Sequence, residues 1–323
     1  MNIKVETANF SPRDLEEIRA NVRIVIENER MTQADAARES GVAYSTFSAF
    51  LNGTYTGNND KPAGDIQIWL TSRQEKKRTA RSMPKAPEFQ MTPSAENFIN
   101  AMRFAQAMPD IAVIAGGAGI GKTSCAEYYA ATNSNVWLVT MEPNTSTVNT
   151  MLAEICETMG VFEKSPTKLS GAIRRKVTGT GGLIIIDEAQ HLSPQALDQL
   201  RSIYDRASIG IALLGNETVY SRLEGEGRRS TFAQLFSRIG MRVTQPRARA
   251  ADVCALLKAW GITEREDLKY LKAIAQKPGA LRILTKVLQL SSMLAAGANE
   301  DRTNRHYRAA WERLSTSPQI DAA

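Results

Sequence analysis

Gly116-Gly117-Ala118-Gly119-Ile120-Gly121-Lys122-Thr123 constrains this chain more than any other stretch. It fits the spacing GxxxxGK[ST], follows the apolar run 111–115 and opens a segment of helical periodicity. Glycines at this spacing let successive backbone N–H groups turn inward around phosphate oxygens, and the dipole of the following helix adds to the attraction. Lys122 is then placed to reach the β- and γ-phosphates of a nucleotide, and the Thr123 hydroxyl to ligate Mg²⁺. Ser124 completes the cofactor-binding set Gly116 to Ser124.

A second run, Leu183-Ile184-Ile185-Ile186-Asp187-Glu188, is an apolar strand ending in two acids. Open α/β sheets bind ligands at the C-terminal ends of their strands. Asp187 is therefore expected to join Thr123 in the Mg²⁺ shell, and Glu188 to polarise the attacking water. Further apolar strands are expected at 136–139 and 209–214, with helical patterns between them. Continuous apolar strands alternating with helices specify a buried parallel sheet with helices on both faces, an α/β fold. After residue 246 the strands stop, and 250–260, 264–276, 279–296 and 303–314 read as helices, a C-terminal helical lid.

The Asp-Glu pair after four aliphatic residues resembles the AAA+ branch of P-loop ATPases. That resemblance implies ATP as cofactor and roles for three more residues. Asn216, after the 209–214 strand, stands at the family's sensor 1, which orients the hydrolytic water; a turn Asn is the competing reading. Arg238, in Leu235-Phe236-Ser237-Arg238-Ile239, matches the arginine finger offered to a neighbour's γ-phosphate. It also sits in an arginine-rich stretch with Arg228, Arg229 and Arg242, where a plain surface role is open. Arg282, in Pro278-Gly279-Ala280-Leu281-Arg282, matches sensor 2, touching the nucleotide from its own chain.

The first 70 residues read as short helices. Ser11-Pro12-Arg13-Asp14 starts one, Thr32 opens a second that stops at Ser40-Gly41, and Tyr44 to Leu51 forms a third. Small residues at 36 and 37 allow a close helix crossing, with Val42, Phe47 and Phe50 inward. Tyr44, Ser45, Thr46 and Ser48 then face outward. The pattern resembles the helix-turn-helix of phage repressors, whose second helix enters the major groove. A helical protein-binding domain remains open, because residues 1–70 carry 7 basic and 10 acidic side chains. Two basic sets could supply further phosphate contacts, with a solvated helix face the competing reading for each residue. One comprises Arg73, Lys76, Lys77, Arg78, Arg81 and Lys85; the other comprises Lys164, Lys168, Arg174, Arg175 and Lys176. The whole chain is +6 with a pI near 9.2, which permits a nucleic-acid partner without demanding one.

The expected organisation is a helix-turn-helix domain at 1–70, a basic linker at 71–94, the ATPase domain at 95–245 and a helical lid or partner-binding domain at 246–323. Three scattered cysteines, no membrane-length apolar run and no apolar leader in the first ten residues point to a cytoplasmic, nucleoid-associated protein. The order of elements, with GLIIIDEAQHL, LFSRI and AQKPGALRIL, resembles the B-protein family of phage Mu transposition. That resemblance implies a largely sequence-nonspecific, ATP-dependent binder of double-stranded DNA. Such a protein assembles with itself in a ring or helical filament, delivers target DNA to a transposase and stimulates strand transfer. Transposase in turn provokes hydrolysis and release. The rival readings are a helicase-loader-like replication ATPase and an ATP-gated helix-turn-helix regulator of transcription.

Overall fold

The computed structural model describes residues 10–82, 87–218 and 237–315, with the side chains of 78–82 excepted. They fall into two compact units divided between residues 84 and 85.

The first unit contains α1 (Pro12–Glu29), α2 (Gln33–Ser40), α3 (Tyr44–Leu51) and α4 (Asp60–Ser82). The starts of α1 and α2 are fixed as the sequence predicts. The Ser11 and Thr32 side chains accept hydrogen bonds from the backbones of Asp14 and Asp35, whose carboxylates bond back. Ile18, Val22, Ala36, Ala37, Phe47, Phe50, Ile66 and Trp69 make one apolar core.

Here the structure corrects the expected linker. Residues 71–82 are not linker but the second half of α4. Their charge is partly neutralised within the unit: Arg73 pairs with Glu29 at the end of α1 and with Glu39 on α2, and Lys77 also pairs with Glu29. The Arg73 guanidinium also lies 5.6 Å from the centre of the Trp69 ring, and Trp69 Nε1 donates to Glu39 at 3.1 Å. Arg73 and Lys77, expected to meet phosphate, are thus committed to holding three helices together. The side chains of Arg78 and Arg81, and all of Lys85, lie outside the described residues.

The second unit is a sheet of five parallel strands in the order β2-β3-β4-β1-β5. They are β1 (Ile111–Gly116), β2 (Val136–Thr140), β3 (Leu183–Asp187), β4 (Gly210–Gly215) and β5 (Ile239–Gln245). Strand alternation sends Ala112, Ile114, Ile185 and Leu214 to one face, against α5 (Pro93–Ala107) and α6 (Lys122–Thr132). Ile111, Val113, Ile184, Ile186 and Leu213 go to the other, against α7 (Val148–Thr158), α8 (Leu169–Val177) and α9 (Pro194–Ala207). The helical lid, α10 (Ala250–Ala259), α11 (Arg265–Ala275), α12 (Ala280–Ala298) and α13 (Asn304–Leu314), shares the first core through Leu257, Leu271, Leu284 and Trp311. A buried carboxylate pins the lid to the start of α5. Asp252 accepts from Ser94 N at 2.9 Å, Ser94 Oγ at 2.5 Å and Arg249 N at 3.1 Å, while Ser94 Oγ also reaches Gln245 Oε1 at 2.8 Å. Among the described residues no helix is long and apolar enough to cross a membrane.

The clamp in the first unit has a pH signature. Hydrogen bonds from Arg73, then from Lys77, hold the Glu29 carboxyl down at about 2, below its usual 4.5. A depressed folded-state value means stability that is complete above about pH 4.5 and is lost as pH falls toward 2. Glu29→Gln should therefore lower the thermal midpoint at pH 7, by an amount equivalent to about 1 kcal/mol. The gap between variant and parent should narrow steadily below pH 4.5. Circular-dichroism melts at fixed ionic strength read this directly, and a gap as wide at pH 3 as at pH 7 would remove the clamp from the account.

Candidate nucleotide site

β1 ends at Gly116 and α6 begins at Lys122, so the glycine-rich turn lies at the C-terminal rim of the sheet. The turn needs glycine for two separate reasons. Gly119 and Gly121 have φ of 76° and 97°, the left-handed region. Gly116, Gly117 and Gly119 also pack against backbone: an added Cβ would lie 2.2 Å from the Gln245 carbonyl oxygen, 2.2 Å from that of Pro246 and 2.0 Å from that of Gly279. The turn is therefore wedged between the end of β5 and the start of α12. Hydrogen bonds run the same way, from Gly117 N to Gln245 O at 3.1 Å and from Arg282 N to Gly119 O at 3.3 Å.

Lys122 Nζ donates to the carbonyl oxygens of Gly116 and Gly117, each at 2.8 Å. Burial lowers its pKa, against the opposing pull of Glu188 and Asp187, and Arg282 lowers it further. Thr123 Oγ1 donates to Asp187 Oδ2 at 2.7 Å, and Asp187 Oδ1 accepts from Glu188 N at 2.9 Å. Two hard oxygens side by side at a phosphate cradle suit Mg²⁺. Among the described residues no trio of His, Cys, Asp or Glu could hold a metal alone. An ion here would draw its remaining ligands from phosphate and water. Glu188 has φ 54°, an uncommon conformation without glycine.

Lys122, Thr123, Glu188 and Arg282 border one cavity of about 460 Å³. Ala118 through Cys125 form its floor and Glu188 one side, while Arg282, Thr285, Lys286 and Gln289 of α12 form the other. Of the residues expected at a nucleotide site, Ala118, Gly119, Ile120, Gly121, Lys122, Thr123, Ser124, Glu188 and Arg282 line this cavity, while Gly116 and Gly117 end β1 and open the turn, and Asp187 lies behind Thr123, bonded to its hydroxyl. The apolar end was missed. Phe89, Leu256 and Trp260 line it, and Phe89 stacks on Tyr128 with ring centres 4.2 Å apart and planes at 14°. Such a wall accepts the flat face of a base. Phe89 lies in Pro87-Glu88-Phe89-Gln90, part of the expected linker, where a single aromatic among prolines gave no periodic signal.

Asn216 stands at the same rim, after β4. Its Oδ1 accepts from Thr218 N at 3.0 Å and from the Thr218 hydroxyl, which makes it the cap of a turn. Its backbone N–H donates to Gln190 Oε1 at 3.2 Å, and Gln190 Nε2 donates to Glu188 Oε2. Gln190 was not singled out from sequence.

Arg238 is elsewhere. It precedes β5, whose first residue Ile239 pairs with Ile111, the first residue of β1. The cradle follows the last residue of β1, so Arg238 lies at the opposite rim, roughly 15–20 Å from its own phosphate site at strand rise. There its Nε donates to Asp205 Oδ1 of α9 at 3.1 Å. Leu235, Phe236, Arg228 and Arg229 lie outside the described residues.

Of the DNA-facing candidates, Tyr44 is 56% exposed and Ser45 is exposed, while Thr46 and Ser48 are half-buried. Lys164, Lys168, Arg175 and Lys176 are exposed and Arg174 is half-buried; they lie on α8 and its approach, and none borders the cavity.

Known proteins extend this geometry. Residues 107–223 match the AAA domain model and 237–314 match the model of the Mu B transposition protein, C terminal. The ATP-dependent target DNA activator B of Escherichia phage Mu is 39% identical over 309 residues, covering 95% of this chain and 98% of that protein. The Mu-like prophage FluMu DNA transposition protein B of Haemophilus influenzae is 38% identical, covering 81% and 91%. Among solved structures, a Walker-type ATPase of Pyrococcus abyssi superposes with a TM-score of 0.51 at 14% identity, covering 72% and 74%, a likeness of fold.

Gly119→Ala should test the wedge. The new Cβ must displace the Gly279 carbonyl and also tolerate φ 76°. Strain of about 1–3 kcal/mol is expected in the bound geometry. ATP affinity by calorimetry should drop by about tenfold or more, since 1.4 kcal/mol is one decade. Gly171→Ala, whose Cβ would meet only the flexible ends of the Arg175 and Arg174 side chains, at 3.4 and 3.9 Å, should leave ATP affinity unchanged. Equal ATP affinities for the two variants would argue against the wedge.

Proposed function

The chain belongs to the Mu B transposition protein family, that of the ATP-dependent target DNA activators B, and from that premise we propose that it is itself an ATP-dependent activator of target DNA. It binds duplex DNA largely without reading sequence, assembles with further copies along it, and presents it to a transposase. The observation that carries this reading is the near full-length match to the phage Mu activator. The cradle supports it, because Lys122, Thr123 and Glu188 line one cavity and Asp187 is bonded to the Thr123 hydroxyl and the Glu188 backbone N–H.

Phosphate entering the cradle would meet inward backbone N–H groups and the dipole of α6. Lys122 would trade its two carbonyl partners for phosphate oxygens, a stronger charge-assisted pairing. Thr123 and Asp187 would hold Mg²⁺, which offsets negative charge on the phosphates when bound. Arg282 would close over the phosphates from α12, and Phe89 and Trp260 would flank the base. Glu188 would take a proton from water as that oxygen attacks the γ-phosphorus, giving ADP and phosphate. The cations of α8 and its approach would meet DNA phosphates, contacts that position without specifying sequence. Membership of α3 in a helix-turn-helix contacting DNA is part of the same proposal.

Glu188→Gln keeps shape and loses the proton acceptor. It should bind ATP normally, hydrolyse it slowly, and stay on duplex DNA longer than the parent in ATP. Footprinting and dissociation in ATP read both halves: extended, sequence-tolerant coverage is expected, whereas one short protected site would favour a transcriptional regulator. A dissociation rate equal to the parent's would separate hydrolysis from release.

The rim opposite the cradle motivates a second test. Arg238, remote from its own cavity, is proposed to complete the site of an adjacent copy. Lys122→Ala lacks a cradle but keeps the finger, and Arg238→Ala the reverse. Each should be nearly inactive, since loss of a finger lowers rate by about 10³–10⁵ in other P-loop enzymes. Mixing the two should restore part of the ATPase activity. Mixtures no better than the sum of the two, with mixed assemblies shown to form, would exclude Arg238 as a finger in trans.

A further inference from the structure

We propose that Gln190 is a positioning residue for ATP hydrolysis: it ties the Glu188 carboxylate to the end of β4 and restrains it until Asn216 moves. The inference rests on the ATPase reading of this site and adds a regulatory element to it.

Three observations carry it. Both ends of the Gln190 amide are engaged, and they reach different elements. Nε2 donates to Glu188 Oε2, and Oε1 accepts from the backbone N–H of Asn216 at 3.2 Å. Glu188 follows β3 and Asn216 follows β4, and the two strands are neighbours in the sheet. Gln190 itself sits in a single tight turn, Ala189–His191, closed by His191 N to Glu188 O at 3.0 Å. The side chain therefore has a fixed root, and its two hydrogen bonds make a strap across the gap.

The consequence concerns proton transfer. In hydrolysis the water O–H bond breaks, its proton passes to a Glu188 oxygen, the water oxygen bonds the γ-phosphorus, and the bond from that phosphorus to the ADP oxygen breaks. A carboxylate oxygen already accepting a hydrogen bond from an amide is a poorer acceptor for that proton, and the carboxylate is turned toward Gln190. Asn216 is well suited to release the strap. It is exposed, it opens the connection from β4 toward Arg238, and its side chain is occupied by Thr218, so its backbone and not its amide holds Gln190. A shift of Asn216 would draw the Gln190 amide with it and free Glu188.

Steady-state ATPase with and without duplex DNA tests this, using the full chain. Gln190→Ala should raise the DNA-free kcat several-fold, leave KM close to the parent's, and shrink the ratio of DNA-stimulated to DNA-free rate. Gln190→Glu separates the two hydrogen bonds: it keeps an acceptor for Asn216 N–H and loses the donor to Glu188. It should behave like Gln190→Ala, whereas a space-filling role predicts parental kinetics for it. Gln190→Asn keeps the amide but is one methylene short of bridging both partners, and should fall between. A lowered kcat, or an unchanged stimulation ratio, in both Gln190→Ala and Gln190→Glu would overturn the proposal. If Gln190→Ala fails to fold, Gln190→Glu decides alone. A parent with no ATPase activity at all would instead defeat the functional reading beneath it, so the two failures are distinguishable.

Discussion

Backbone-on-backbone contact at the glycine-rich turn organises this molecule. Three glycines of the cradle lie where no side chain fits: two against the carbonyls that end β5 and follow it, one against the carbonyl of Gly279 at the start of α12. Contacts of that kind have no flexible end to yield. The phosphate cradle, the edge strand and the lid are thus set by one another. β5 is half exposed along much of its length, so its place beside β1 rests on the ladder and on this junction. A nucleotide gripped by the cradle would be gripped by the lid as well, because Arg282 shares a backbone hydrogen bond with Gly119.

Charge placement follows the same economy. Asp252 is fully buried without a cation, and hydrogen bonds from Ser94 and Arg249 supply its compensation. It fastens the start of the lid to the start of α5 behind the cradle. Asp187 is almost as deeply buried, yet its partners are the Thr123 hydroxyl and one backbone N–H. The two acids differ in what could be added. Asp252 is surrounded by its own fold, whereas Asp187 adjoins the hydroxyl of Thr123 and the backbone of Glu188, both of which border the cavity. That contrast separates a structural carboxylate from the one proposed to hold a metal.

Much of this was legible in the sequence because it is encoded locally. Glycine spacing, a strand ending in Asp-Glu, Ser11 and Thr32 at helix starts, and continuous aliphatic strands each identify themselves within a few residues. What was missed depends on distant partners. β5 alternates Met241, Arg242, Val243 and Thr244, which hides an edge strand beside apolar ones. The second half of α4 looks like linker until Glu29 and Glu39, more than thirty residues away, are seen to take up Arg73 and Lys77. Phe89 and Trp260 meet at the same cavity from opposite ends of the unit, and no spacing rule joins them. Gln190 escaped notice because its meaning lies in two partners on different strands. Asn216 was expected at the cavity on resemblance; its side chain instead caps its own turn, and Gln190 carries the contact to Glu188.

The two rims of the sheet bear on how the proposed assembly would work. Among the described residues, the glycine-rich turn and the Asp187–Glu188 pair proposed to meet the triphosphate lie at the C-terminal rim, and Arg238 lies at the other. In its own chain Arg238 is paired with Asp205 at the surface, where both side chains are partly solvated. An exposed pair of this kind contributes less than about 1 kcal/mol. Exchanging Asp205 for a neighbour's phosphate would therefore cost the monomer little, while the phosphate offers more charge and more acceptor oxygens. The exchange leaves Asp205 with Arg201, which already donates to it at 2.6 Å, so no acid is stranded. An arginine held loosely by a replaceable partner, on the rim its own cradle cannot use, is the arrangement that stacking copies along DNA would require.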